Sequence, residues 1–200
     1  QDIVTHFKDD HLSGLREQIL AQREALLKQS EVLRRRADAL DAFEKRLAYA
    51  QAHLDEPAIC DRPPLRLLRP SLSGLSAADM ESRRSLDAFI AAMPDTRISF
   101  ARALAPKSEK HFRLCADEAA CAAWALPLEH TASLPSARCV RVIHRFACQP
   151  CDDEAVPEIL ACAQKAGHAV RVDGELFGLH LASETSEGKV SLYAAVYLPI

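Results

Sequence analysis

LSGLREQILAQREALLKQSEVLRRRADALDAFEKRLAYAQAHL, residues 12–54, places a large aliphatic residue at every seventh position: Leu12, Ile19, Leu26, Leu33, Leu40, Leu47 and Leu54. In an α-helix that spacing sets all of them on one stripe, the pattern of a helix that pairs along a seam. Residues 15–56 hold no glycine or proline, and Ala, Leu, Glu, Gln, Lys and Arg, the strongest helix formers, fill most positions. One helix is therefore expected over roughly residues 10–56, with the 15–56 run about 63 Å long. Acid-before-base pairs at i, i+4 support it (Glu24/Lys28, Glu31/Arg35, Asp41/Lys45), and Pro57 is expected to end it. A stripe this long cannot be buried against the remaining part of the chain, so it calls for a second helix, most simply from an identical chain. The companion positions Leu15, Gln22, Gln29, Arg36, Phe43 and Ala50 mix apolar with polar. Such a half-polar stripe fits a short two-stranded coiled coil better than a long parallel zipper, and both orientations stay open.

The composition, 48% hydrophobic and 26% charged over 200 residues, is that of a globular protein and excludes disordered and collagen-like classes. The net charge of −3 is evenly spread, with 9 basic and 11 acidic residues in 1–56 and 16 and 17 in 57–200. No segment has the basic surplus of a nucleic-acid-binding module. The longest uncharged stretches, 119–128 and 190–200, fall short of the roughly 20 residues needed to span a bilayer, so no membrane partner is expected. The chain opens on Gln1 and residues 1–8 lack the pattern of a secretion signal, which reads as a fragment of a longer protein. Seven cysteines, an odd number without the look of a disulfide scaffold, point to a reducing compartment and a cytoplasmic location.

Residues 56–64 (EPAICDRPP) hold three prolines and read as a linker, so that 1–56, a linker at 57–64 and a domain at 65–200 are expected. Within the domain the pattern predicts a strand at 65–69, a helix at 77–93, strands at 97–105 and 111–115, and a short helix or turn at 119–124. The order then recurs, with a strand at 137–147, a helix at 152–167 ending on Gly167, and a hairpin of 175–183 with 189–198 around residues 186–188. Two βαββ units joined in one antiparallel sheet, with both helices on one face, make an α+β fold whose other face is uncovered. In the last strand Leu192, Ala194, Val196 and Leu198 point one way and Tyr193, Ala195 and Tyr197 the other, so both faces are apolar or aromatic. Together with Phe100, His111, Trp124, His144, Phe146, Phe177 and His180 on the other segments, they suggest a concave cleft for a small apolar or aromatic molecule.

Three passages, residues 15–36 (LREQILAQREALLKQSEVLRRR), residues 138–146 (RCVRVIHRF) before a helix, and residues 192–200 (LYAAVYLPI) at the close, give the chain a likeness. It resembles the linker helix and effector-binding part of MerR-family transcriptional regulators, whose ligand domain is of the GyrI-like type. The resemblance implies a homodimer through the long helix, paired antiparallel. It also implies that DNA is met only through a winged helix-turn-helix ahead of residues 2–7 (DIVTHF), which look like the tail of that module's last helix. Ligand binding in the cleft then shifts the paired helices and the spacing of the DNA-binding modules. Effector contacts are expected from Phe100, Trp124, His144, Phe146, Phe177, His180, Tyr193, Ala195 and Tyr197. Drug-sensing relatives carry a glutamate facing cationic ligands where this sequence has Ala195, so a neutral or anionic, largely apolar effector is expected, with His144, His180 and Arg145 supplying polarity.

Other chemistry is less well supported. Cys148-Gln-Pro-Cys151 precedes a helix, where dipoles lower a thiol pKa, but a single CxxC outside a parallel βαβ unit is a weak redox motif. Zinc would need Cys162 or His144 to join the pair, with no second CxxC to complete a tetrahedron. Cys115, Cys121, Cys139 and Cys162 read as core filling. Some GyrI-like domains hydrolyse bound compounds with a cleft carboxylate; with Ala195 in that place, Glu175 or Glu118 would have to act. No Ser-His-Asp spacing or phosphate loop offers another mechanism, so no catalytic residue, metal or cofactor is expected. A purely structural pairing module is the remaining alternative.

Overall fold

A computed structural model describes residues 9–69, 72, 80–105, 107–147, 154–186 and 188–200, with side chains from residue 14 onward. The chain divides into two compact parts, 1–42 and 43–200. Helix α1 runs Asp9–Ala52, short of the expected end near residue 56: the last leucine of the ladder, Leu54, lies beyond the helix and bridges to Ile143 instead. In its first part Leu15, Ile19, Leu26, Leu33 and Leu40 are all more than half exposed in the single chain. Glu24–Lys28 (2.9 Å) and Glu31–Arg35 (3.1 Å) form the expected pairs, and Arg34 adds a bridge to Glu31 at 2.8 Å. Leu12 lies in the helix, but its side chain is outside the described residues, as are residues 2–7 and Cys148 and Cys151.

The helix stops at Ala52, before Pro57, because Asp55 takes a left-handed conformation (φ 56°) that an aspartate tolerates. One residue there fastens the helix end to two elements. Asp55 donates its N–H to Ile143 O (2.7 Å), accepts from His144 Nδ1 (2.8 Å), and accepts from Cys162 Sγ on its carbonyl.

The remaining elements are β1 (Ala58–Arg62), β2 (Leu65–Leu68), α2 (Met80–Ala91), β3 (Arg97–Ala103), β4 (His111–Ala116), α3 (Glu118–Ala123), β5 (Thr131–Leu134), β6 (Ala137–Phe146), α4 (Ala155–Lys165), β7 (Glu175–Ser186) and β8 (Lys189–Pro199). The strands form one antiparallel sheet in the order β1-β6-β8-β7-β3-β4-β2-β5. The fold is α+β, with β2-α2-β3-β4 and β6-α4-β7-β8 as the two repeats, and the second is the mirror of the first in strand order. Two strands depart from the sequence expectation. The linker expected at 57–64 contains β1, and residues 131–134 form β5. Each is short and bounded by prolines (57, 63 and 64; 127 and 135), which stay outside the ladder where their missing N–H costs nothing.

Those two strands cross over. β1 pairs with β6 of the second repeat, and β5 pairs with β2 of the first. Only Pro63 and Pro64 join β1 to β2, a span of about 7–10 Å for an extended chain, so the two ends of the strand order must curl together there. Arg62, 5% exposed, fills the junction: it donates to the carbonyls of Pro63 and Pro135, one from each crossing, and its guanidinium stacks 5.2 Å above the Phe177 ring.

Helices α2, α3 and α4 cover one face. Val156, Ile159 and Ala163 of α4 pack on Phe100, Val140, Val142, Phe146, Leu176, Val196 and Leu198. Phe89 of α2 and Cys121 of α3 pack on Leu68 and Leu114. Asp117 caps α3 by accepting from Ala120 N at 2.8 Å. Gly167, at φ 80°, turns the chain after α4 with its N–H on Gln164 O. The opposite face is not bare: Leu65, Leu67, Cys115 and Leu179 fill its middle, with Phe177 and Tyr197 against them.

Candidate functional site

On that opposite face, alternation along the strands decides which side chains meet. In β3, Ile98 and Phe100 enter the helix-side core, so Arg97 and Ser99 point away from it; in β6, Val140 and Val142 do the same for Arg141 and Ile143. In β7 the same alternation sets Phe177, Leu179 and Leu181 on this side, and a β-bulge between His180 and Ala182 then shifts the register with β8. The last turns of α1 complete the wall.

Two cavities flank the central cluster. The first, about 290 Å³, is lined by Lys45, Arg46 and Tyr49 of α1, Arg97, Arg141, Ile143, Leu181, Ala195 and Tyr197. The second, about 310 Å³, lies over β2–β5 and holds Ser99, His111, Arg113, Glu175 and Phe177. Both are near the lower end of small-molecule sites.

The first cavity has four cations and no carboxylate among its lining residues. Arg141 lies 5.1 Å above the Tyr49 ring and donates to its hydroxyl at 2.7 Å. The Nε atoms of Arg97 and Arg141 are buried and meet no acceptor, as is that of Arg113 in the second cavity. Burial draws the Arg46 guanidinium below its ordinary value and the charge of Arg97 adds to this, against Asp95 and Asp117. Burial raises the Tyr197 hydroxyl, with Arg97 opposing. In the central cluster, burial pushes the Cys115 thiol up to about 11, an inert side chain.

Of the residues expected to contact an effector, Ala195 and Tyr197 line the first cavity and Phe177 the second. Tyr193 shares their face but is closed off: its hydroxyl donates to Glu184 at 2.9 Å and Arg145 lies 5.7 Å above its ring. The other five sit on the helix side and line neither cavity, contrary to the expectation. Phe100 and Phe146 are core residues in edge-to-face contact, and His144 is taken up by Asp55. His180 shares a 2.9 Å hydrogen bond with Ser183. Trp124 ends α3 and donates Nε1 to Asp95 at 2.9 Å. In β7 and β8 both faces are apolar, and there composition does not say which face is open. The sequence reading missed Arg46, Arg97 and Arg141, although their alternation with core residues in β3 and β6 was available as a signal.

Burial also holds the His180 imidazole below its ordinary value of about 6.5. An unfolded chain takes up that proton near pH 6.5 and the folded chain does so only at lower pH, so stability is lost as pH falls through this window. We expect the slope of Tm against pH between 7 and 5 to be shallower in His180→Gln than in the wild type; equal slopes would refute the assignment.

Glu118 lines neither cavity, while Glu175 and His111 both line the second. Among the described residues no three His, Cys, Asp or Glu side chains come together as a metal site, and no helix is long and apolar enough to cross a membrane.

The fold and cavities define an α+β domain of duplicated βαββ units with a concave face. No protein-family model and no curated protein matches the sequence. Two solved structures are similar in fold. A protein of Staphylococcus aureus MU50 provisionally assigned to bacterial transcription regulation is 9% identical, covers 72% of this chain and 99% of its own, and has a TM-score of 0.40. The EcmrR C-terminal domain is 10% identical, covers 72% and 96%, and has a TM-score of 0.42. Likeness at this level is one of general architecture.

Proposed function

We propose that the chain is the ligand-sensing and pairing part of a MerR-type transcriptional regulator with a GyrI-like effector domain, binding a small apolar or aromatic molecule without converting it. One observation carries the reading: Lys45, Arg46 and Tyr49 line the first cavity, so a molecule there touches the same helix that bears the leucine ladder. A ligand that favours one placement of that helix biases how two copies pair. The absence of a carboxylate, imidazole or serine among that cavity's lining residues favours binding over catalysis. DNA contact belongs, in this reading, to a winged helix-turn-helix encoded ahead of residue 1, and another kind of domain there would overturn it.

The test is thermal. An aromatic ligand at 100 times its Kd stabilises by about 2.7 kcal/mol, which raises Tm by roughly 5–10 °C in a chain of this size. The shift should vanish in Ala195→Phe, whose ring occupies the cavity; equal shifts in both proteins would place binding elsewhere.

A further inference from the structure

We infer that the first cavity binds the anionic end of its ligand, specifically the carboxylate of a small aromatic acid; this rests on reading that cavity as the effector site. Its charged lining residues are all cationic: Lys45, Arg46, Arg97 and Arg141 line it with no carboxylate among them, and the acids that act on Arg46, Asp95 and Asp117, lie outside the lining. The charges press on one another, since Arg97 contributes to drawing Arg46 below its ordinary value. A structure that gathers like charges in a partly buried concavity holds a field waiting for a counter-charge.

Hydrogen bonding gives the same answer independently. The Nε groups of Arg97 and Arg141 are buried donors without acceptors, a costly state that a ligand oxygen relieves. Guanidinium groups offer planar forks that match a carboxylate in bidentate fashion. Arg141 is already fixed by its bond to Tyr49 and its stacking on that ring, so little ordering is left to be done on binding. The rest of the wall, with Tyr197, Ile143 and Ala195, suits an apolar ring, and the volume of about 290 Å³ suits a one- or two-ring molecule rather than a polymer. The second cavity lacks this character, because a carboxylate, Glu175, lines it together with Arg113.

Three probes of one shape and different charge test this on the full chain by titration calorimetry: 2-naphthoate, 2-naphthamide and 2-naphthylmethylammonium. Naphthoate should bind at least about tenfold tighter than the amide, the ammonium should not bind, and added salt should weaken naphthoate alone. Arg97→Gln and Arg141→Gln should each weaken naphthoate by about tenfold while leaving the amide within about threefold; Arg113→Gln should leave both unchanged. If the amide matches naphthoate and Ala195→Phe abolishes both, the cavity reading stands and the anion inference falls. It falls likewise if naphthoate binding ignores Arg97→Gln and Arg141→Gln. If none of the three binds below millimolar concentration, the cavity reading falls and takes the inference with it.

Discussion

Gly178→Ala should lower Tm by roughly 2–12 °C, a loss caused by one methyl group that has no room. Gly178 and Phe100 face each other across β7 and β3, and the Phe100 ring lies directly over the glycine. A Cβ built on Gly178 would come within 1.9 Å of Phe100 Cζ and 2.1 Å of Cε2. The ring cannot swing away freely, because it is 1% exposed and stands edge-to-face on Phe146 at 6.0 Å. Overpacking of this kind costs about 1–3 kcal/mol or more, which exceeds the few tenths to 1 kcal/mol that alanine gains by restricting the unfolded chain. A double-mutant cycle gives the signature. Phe100→Ala alone should cost about 3–5 kcal/mol, and adding Gly178→Ala to it should cost almost nothing. Additive losses would show that the ring and the glycine do not constrain each other.

Replacing Leu26 and Leu33 together by glutamate should convert a paired chain into a monomer without melting residues 43–200. Both leucines are more than half exposed in the single chain, so in the pairing proposed above it is the partner helix that would bury them. At about 1.5–3 kcal/mol for each leucine and four leucines per pair, the loss is roughly 6–12 kcal/mol, or more than four decades in Kd. Four like charges in the seam add to it. Light scattering should report a single-chain mass at micromolar concentration and circular dichroism an unchanged domain transition. A mass of two chains in the double variant would remove the ladder from the interface. Conversely, Gln29→Leu should tighten the pairing by extending the apolar companion stripe.

What the sequence disclosed follows physical period. The ladder is legible because seven repeats of one spacing leave little room for another structure, and the βαββ duplication because strand and helix periods alternate twice. β1 and β5 escaped notice because five and four residues between prolines give alternation too little length to register. The candidate site was read halfway. Aromatic residues drew attention to β8, whose Ala195 and Tyr197 line the first cavity, yet Phe100 and Phe146 belong to the helix-side core. The arginines that give the cavity its charge resemble ordinary solvated residues until the alternation of Ile98 and Phe100, or of Val140 and Val142, fixes which way Arg97 and Arg141 turn.

The exchange of β1 and β5 has a consequence for how this architecture can arise and come apart. Each half takes its outermost strand from the other, so neither can complete its own share of the sheet, and a cut between them would leave two incomplete pieces rather than two small domains. A single βαββ unit preceded by its leading strand would need a second copy of itself, trading those strands reciprocally. In the single chain that exchange is covalent, and Arg62 bonds to both crossings where they meet.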